Sequence, residues 1–184
     1  MSQDEPRWEF HAVPDPVAGL EAAYQGIQFE MLGYGSPRLN ECLEVRAEGP
    51  ETRDGWHQVL LVTPWAAMQV YLPREPHDLS ALPEPAELEC EEDGRVVVGA
   101  ELRFPFDGVI HDLEVAYDTR LGHHLVEMLL TSMGAFQDTE EALVWARERA
   151  ARRNGRQTPS DAESSPGPRR VSRRDLFRGL LGRR

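Results

Sequence analysis

Apolar positions along this 184-residue chain change their period twice. Val17, Leu20, Tyr24, Ile27 and Met31 recur at steps of three and four, the signature of one apolar stripe on a helix. Asp15 followed by Pro16 supplies an N-cap and a proline at the first helical position, and Gly33 marks the end. From there to about residue 131 the pattern is that of strands. After Asp138 or Thr139, either of which can cap a helix, Ala142, Leu143, Trp145, Ala146 and Ala150 restore the helical period behind Glu140 and Glu141 in a favourable first turn.

Within the middle region Leu43, Val45 and Ala47 alternate with polar neighbours, Val59 to Val62 is wholly apolar, and Met68 to Leu72 resumes after a break. That break is Thr63-Pro64-Trp65. Proline lacks a ladder donor and restricts the residue before it, so the step must lie at an edge, a bulge or a corner, with Trp65 presented just after it. Ala86, Leu88 and Cys90 alternate with glutamates, and Val96, Val98, Ala100, Leu102 and Phe104 form a second alternating set across Asp93-Gly94. This predicts a hairpin with a two-residue loop that sets Glu92 opposite Arg95. Leu113, Val115 and Tyr117 predict another strand, and Leu125 to Thr131 a last one after a turn around Gly122.

Together these elements predict an α+β fold: an antiparallel sheet of about six strands, meander-like, flanked by an N-terminal and a C-terminal helix, with disordered tails. The organisation expected is a disordered N-terminus at 1–14, one domain at 15–153, a flexible linker at 154–170 and a basic amphipathic segment at 171–184.

Charge divides the chain in the same way. Residues 1–151 carry 29 acids against 10 arginines, whereas 152–184 carry 10 arginines against 3 acids, and lysine is absent. An acidic body repels nucleic acid and anionic membrane, so nucleic acid is not expected as a partner, and a membrane-surface contact by the tail would be marginal. The acidic N-terminus MSQDEPRWEF and the lack of a long apolar run predict no secretory signal and no membrane insertion, leaving the cytoplasm as the expected compartment. Cys42 and Cys90, without CxxC spacing, suit buried thiols in a reducing compartment.

No catalytic constellation emerges. His11, His57, His77 and His111 are isolated, and the adjacent His123 and His124 point to opposite faces of a strand, so neither pattern has the i, i+4 spacing of a helical zinc pair. No cofactor is expected. The tail VSRRDLFRGLLGRR carries Ser172 and Asp175 at capping-box spacing, with Leu176, Phe177, Leu180 and Leu181 on one face and arginines around the rest. Ten residues are too few for a stable helix in water, so order here waits on a groove. Arg173, Arg174, Leu176, Phe177 and Arg178 resemble a twin-arginine export motif, at an end of the chain where it cannot direct export.

The order of Val62-Thr63-Pro64-Trp65, Leu72-Pro73, Phe104-Pro105 with Gly108, Gly122, Phe136 and Arg173 to Gly179 resembles the HybE-type NiFe-hydrogenase assembly chaperones. The resemblance implies a non-catalytic accessory protein, not an enzyme. Its partners would be precursors of the large or small hydrogenase subunit, and its task to coordinate cofactor insertion with twin-arginine export. Thr63, Pro64 and Trp65 are the expected partner-binding residues of the body, and Arg173, Arg174, Leu176, Phe177 and Arg178 those of the tail. The acidic body would attract a twin-arginine signal peptide. Alternative readings are a general twin-arginine signal-peptide proofreading chaperone for other redox enzymes, or an enzyme dependent on a metal or a thiol.

Overall fold

A computed structural model describes residues 5–35, 39–75, 82–106 and 108–156. The expected tail at 171–184, with its five candidate arginine, leucine and phenylalanine positions, lies outside the described residues, as do His77 and all but the first three residues of the expected linker.

Helix α1 (Pro16–Gly33) begins where the Asp15 carboxylate accepts a hydrogen bond from the Ala18 N–H, and six strands follow: β1 (Arg46–Arg53), β2 (Trp56–Val62), β3 (Ala67–Pro73), β4 (Glu101–Phe106), β5 (Val109–Asp118) and β6 (Gly122–Leu130). Helix α2 (Thr139–Arg156) closes the described chain, with Asp138 accepting from the Glu141 N–H and Glu141 accepting from the Gln137 N–H.

The strands form one antiparallel sheet in the order β1-β2-β3-β6-β5-β4. It consists of two three-stranded meanders joined where β3 meets β6, so the fold is the expected α+β plan. One face lies beneath α1: Leu20, Ala23 and Tyr24 cover Val59, Leu61, Met68, Val70, Leu72 and Val126. The opposite face is shared. Ala142, Leu143 and Ala146 of α2 cover Leu60, Val62, Ala67 and Leu129, while Trp56, Tyr71, Phe104, Phe106 and Leu125 pack with Phe10, Leu82 and Val96. Burying each apolar side chain of this size contributes roughly 1.5–3 kcal/mol.

Several local expectations change. The segment 86–90 is not a strand: a 3₁₀ turn occupies Pro85–Glu87, and of its residues Cys90 bridges Val96. The turn that follows has a three-residue loop. Glu91 donates to the Arg95 carbonyl, Gly94 donates to the Glu91 carbonyl, and Gly94 sits at φ +82°, a geometry that makes Glu91 rather than Glu92 the partner of Arg95. The Arg95 guanidinium instead meets Asp93 at 2.6 Å and lies over the Tyr117 ring. The second arm breaks at Gly99, φ +89°, so β4 starts only at Glu101. Leu43 and Val45 are buried but precede β1, which is an edge strand with a bulge at Gly49-Pro50, where proline has no ladder bond to lose.

Residues 5–14 also depart from the expected disorder. Arg7 bridges Arg95, Phe10 bridges Gly122, and Trp8 donates from its indole to the Pro83 carbonyl. Apolar Trp8 and Phe10 supply the burial that a disordered segment lacks. Gly122, at φ +68°, permits the crossing, because a Cβ there would collide with the Glu9 carbonyl oxygen.

Candidate functional site

Thr63, Pro64 and Trp65 form the turn of the β2-β3 hairpin, a corner as the proline requires. Thr63 closes it with both main chain and side chain. Its N–H donates to the Ala66 carbonyl at 2.8 Å, and its hydroxyl donates to the same oxygen at 2.9 Å while accepting from the Ala66 N–H at 3.0 Å. Asn40 locks the corner to the approach to α2: its N–H donates to the Pro64 carbonyl, and its side-chain amide donates to the carbonyls of Met133 and Phe136. Thr63 and Pro64 are buried. Trp65 is half-buried and folds back to lie parallel to the Tyr24 ring of α1, 6.4 Å between centroids. Tyr24 in turn reaches His124 of β6 at 3.0 Å. The corner is therefore a support that fixes α1 on the sheet.

What α1 presents is the more exposed feature. Burial along its apolar stripe declines from Leu20 and Tyr24 to Ile27 and Met31. Past the sheet, Phe29, Leu32 and Tyr34 are 78%, 52% and 74% exposed. At 100° per residue, Glu21, Gln25 and Gln28 fall within about 60° of helix arc on the side facing β1, with Leu32 in line with that arc and Phe29 adjacent to it. An open cleft of about 390 Å³ lies there, lined by Glu21, Gln25 and Gln28 from α1 and by Glu44, Val45 and Arg46 opposite. Glu21 pins the two walls by accepting from the Ala47 N–H at 3.0 Å. The surface thus runs from a polar cleft, where Glu44 pairs with Arg46, to the exposed Phe29 and Leu32 at the end of the helix.

The histidines carry structure. His123 accepts from the Glu9 N–H at Nδ1 and donates from Nε2 to the Val96 carbonyl, which fixes the neutral tautomer and clamps the N-terminal segment. Burial pushes its pKa below the ordinary value. His124 faces the other side of the sheet, as its sequence neighbour requires, and donates to the Gly122 carbonyl. His111 joins the strongest convergence of titratable groups among the described residues. Its Nδ1 donates to Glu127 at 3.1 Å, Tyr71 donates to the same oxygen at 3.3 Å, and Arg153 of α2 donates to the other oxygen at 2.8 Å. Burial acts to raise the Glu127 carboxyl, but the His111 hydrogen bond and the Arg153 charge outweigh it and hold the pKa below its usual value. Burial and the Glu127 charge push Tyr71 strongly upward. With His111 and Glu127 at 4% and 5% exposure, this network is buried and fastens the end of α2. Among the described residues no group of three or more His, Cys, Asp and Glu side chains is arranged to hold a metal. The expectation of buried thiols fails for Cys42, which is exposed because it sits in a turn whose N–H is held by Asn40; Cys90 is half-buried.

The family described as NiFe-hydrogenase assembly, chaperone, HybE matches residues 15–179. The chain belongs to the HybE family. The solution structure of HybE from Escherichia coli shares the fold at a TM-score of 0.52 and 16% identity, covering 100% of this chain and 97% of that one. Comparison with curated proteins gives no significant match.

As a HybE-family protein, the chain brings together Thr63, Pro64 and Trp65 in the corner but buries the first two. Phe29, Leu32 and Tyr34, exposed, and Asn40, which braces the corner, stand out in the structure and are not among the residues expected from the sequence. A signal was present for two of them: Phe29 and Leu32 are apolar yet out of phase with the stripe at Val17, Leu20, Tyr24, Ile27 and Met31, so a helix docked by that stripe must expose them.

Proposed function

We propose that this HybE-family protein is a non-catalytic assembly chaperone that holds precursor subunits of NiFe hydrogenase in the cytoplasm through the α1-β1 surface. The observation that carries this reading is the exposure of Phe29 and Leu32, one turn apart at the C-terminal end of the helix whose Glu21, Gln25 and Gln28 line the cleft. Large apolar side chains left in water next to one another on a helix mark a surface for a partner. The cleft adds Glu21 and Glu44, two carboxylates against the single Arg46, a balance that favours a client with arginine next to apolar residues. A twin-arginine signal peptide has that chemistry, and binding it would couple cofactor insertion in the large subunit to export of the small one. Trp65, with the buried Thr63 and Pro64 behind it, holds α1 in place for this contact.

The test is binding of purified hydrogenase precursor subunits to a Phe29→Ser/Leu32→Ser variant. Two interface-centre residues at about 2 kcal/mol each imply a loss on the order of 1,000-fold in affinity. Because both side chains are largely in water, melting should stay within about 2 °C of wild type. Undiminished binding of either subunit by the variant would place the client elsewhere.

A further inference from the structure

We infer that the chain's own terminal segment, residues 171–184, docks on the α1-β1 surface and competes there with the client. The inference rests on the client-binding reading above and specifies its regulation. Three observations meet. First, the surface is polar at the cleft, with Glu21 and Glu44 beside Arg46, and apolar at Phe29 and Leu32, and the segment VSRRDLFRGLLGRR carries arginines beside Leu176, Phe177 and Leu180. Second, the charges oppose: 10 arginines against 3 acids after residue 151, and 29 acids against 10 arginines before it. Third, the geometry allows the reach. The Glu44 N–H on the cleft wall donates to the Thr139 hydroxyl at the start of α2. Helix α2 ends at Arg156, about 25 Å further along its axis at 1.5 Å per residue. The 14 residues 157–170 span about 20 Å as a random coil and at most about 48 Å extended, so the segment can return to the cleft.

A tethered competitor acts at an effective concentration on the order of a millimolar. A segment binding with a dissociation constant of about 0.1–1 mM would then occupy the surface for half of the time or more. It would weaken every client at this surface by the same factor, about 2- to 10-fold.

The experiment uses the full chain and a Leu176→Ser/Phe177→Ser variant, with a synthetic peptide carrying S-R-R-x-F-L-K followed by apolar residues as probe. Backbone amide spectra of the two proteins should differ at residues 25–34 and 44–46, and the peptide should bind the variant about 2- to 10-fold more tightly. Identical spectra in those regions together with equal peptide affinities would overturn the docking while leaving the surface as a client site. Spectral differences without peptide binding by either protein would support the docking and remove this peptide as client. Loss of the spectral difference on dilution, with a wild-type dimer in sedimentation, would assign the contact to a second copy and overturn docking in cis.

Discussion

Replacing Trp65 with alanine separates a support from a contact. A tryptophan buries 150–250 Å² when enclosed, and Trp65 is half-buried, so roughly 100 Å² of apolar area returns to water, worth about 2.5 kcal/mol. The parallel arrangement on Tyr24 adds about 0.5 kcal/mol, at the low end for aromatic pairs because the centroids are 6.4 Å apart. The site opens to solvent, so little cavity remains, and the expected cost is about 3 kcal/mol. For a chain of this length that lowers melting by about 6–12 °C and leaves the protein folded at 25 °C. Urea unfolding followed by circular dichroism measures it, with the slope unchanged from wild type. Trp65→Phe should recover more than half of the loss by preserving a ring against Tyr24. Client affinity of Trp65→Ala, measured where the protein is fully folded, should fall less than that of Phe29→Ser/Leu32→Ser. Wild-type stability with abolished client binding would refute the reasoning and make Trp65 a direct contact.

Thr63→Val keeps the shape of a buried side chain but takes the acceptor from the Ala66 N–H, and should cost about 1–3 kcal/mol in chemical denaturation. Gly122→Ala forces a side chain at φ +68° against the Glu9 carbonyl; a loss on the order of 3 kcal/mol and faster amide exchange in residues 7–11 are expected. The lowered pKa of Glu127 contributes stability that is complete above the ordinary carboxyl range and lost as pH falls through the folded-state value. A Glu127→Gln variant should therefore melt lower at pH 7 and show a shallower fall in melting temperature between pH 5 and 3; parallel wild-type and variant curves would contradict the assignment.

Legibility of the fold followed periodicity. The stripe of α1, the apolar runs of β2 and β3 and the alternation in β5 each carried a period that admits one secondary structure, and the Asp15-Pro16 and Asp138 caps fixed helix starts. The region 82–100 is misleading because alternation at Leu88, Cys90, Val96 and Val98 has the period of ladder pairing without forming a ladder. Pro85 begins a 3₁₀ turn and Gly99 bends the chain, so burial came from loop packing on Trp56 and Phe104. The order within Glu91-Glu92-Asp93-Gly94 was a question of turn type, which one glycine does not determine. Of the site, the corner was visible because proline in an apolar run is anomalous. Its role was not, since whether Trp65 points to solvent or onto Tyr24 depends on where α1 docks.

The seam between the two meanders has a kinetic consequence. Strands β1 to β3 and β4 to β6 are each assembled from neighbours in sequence, and each hairpin can close on the scale of microseconds. Pairing of β3 with β6 joins Ala67 to Leu130 and Tyr71 to Leu125, partners more than fifty residues apart, and only after it forms does the sheet present a continuous surface for the helices. The rate of folding should therefore be set in the middle of the sheet. Substitutions at Val70 and Val126 should slow refolding, whereas equally destabilising ones at Leu102 or Phe104 should mainly hasten unfolding.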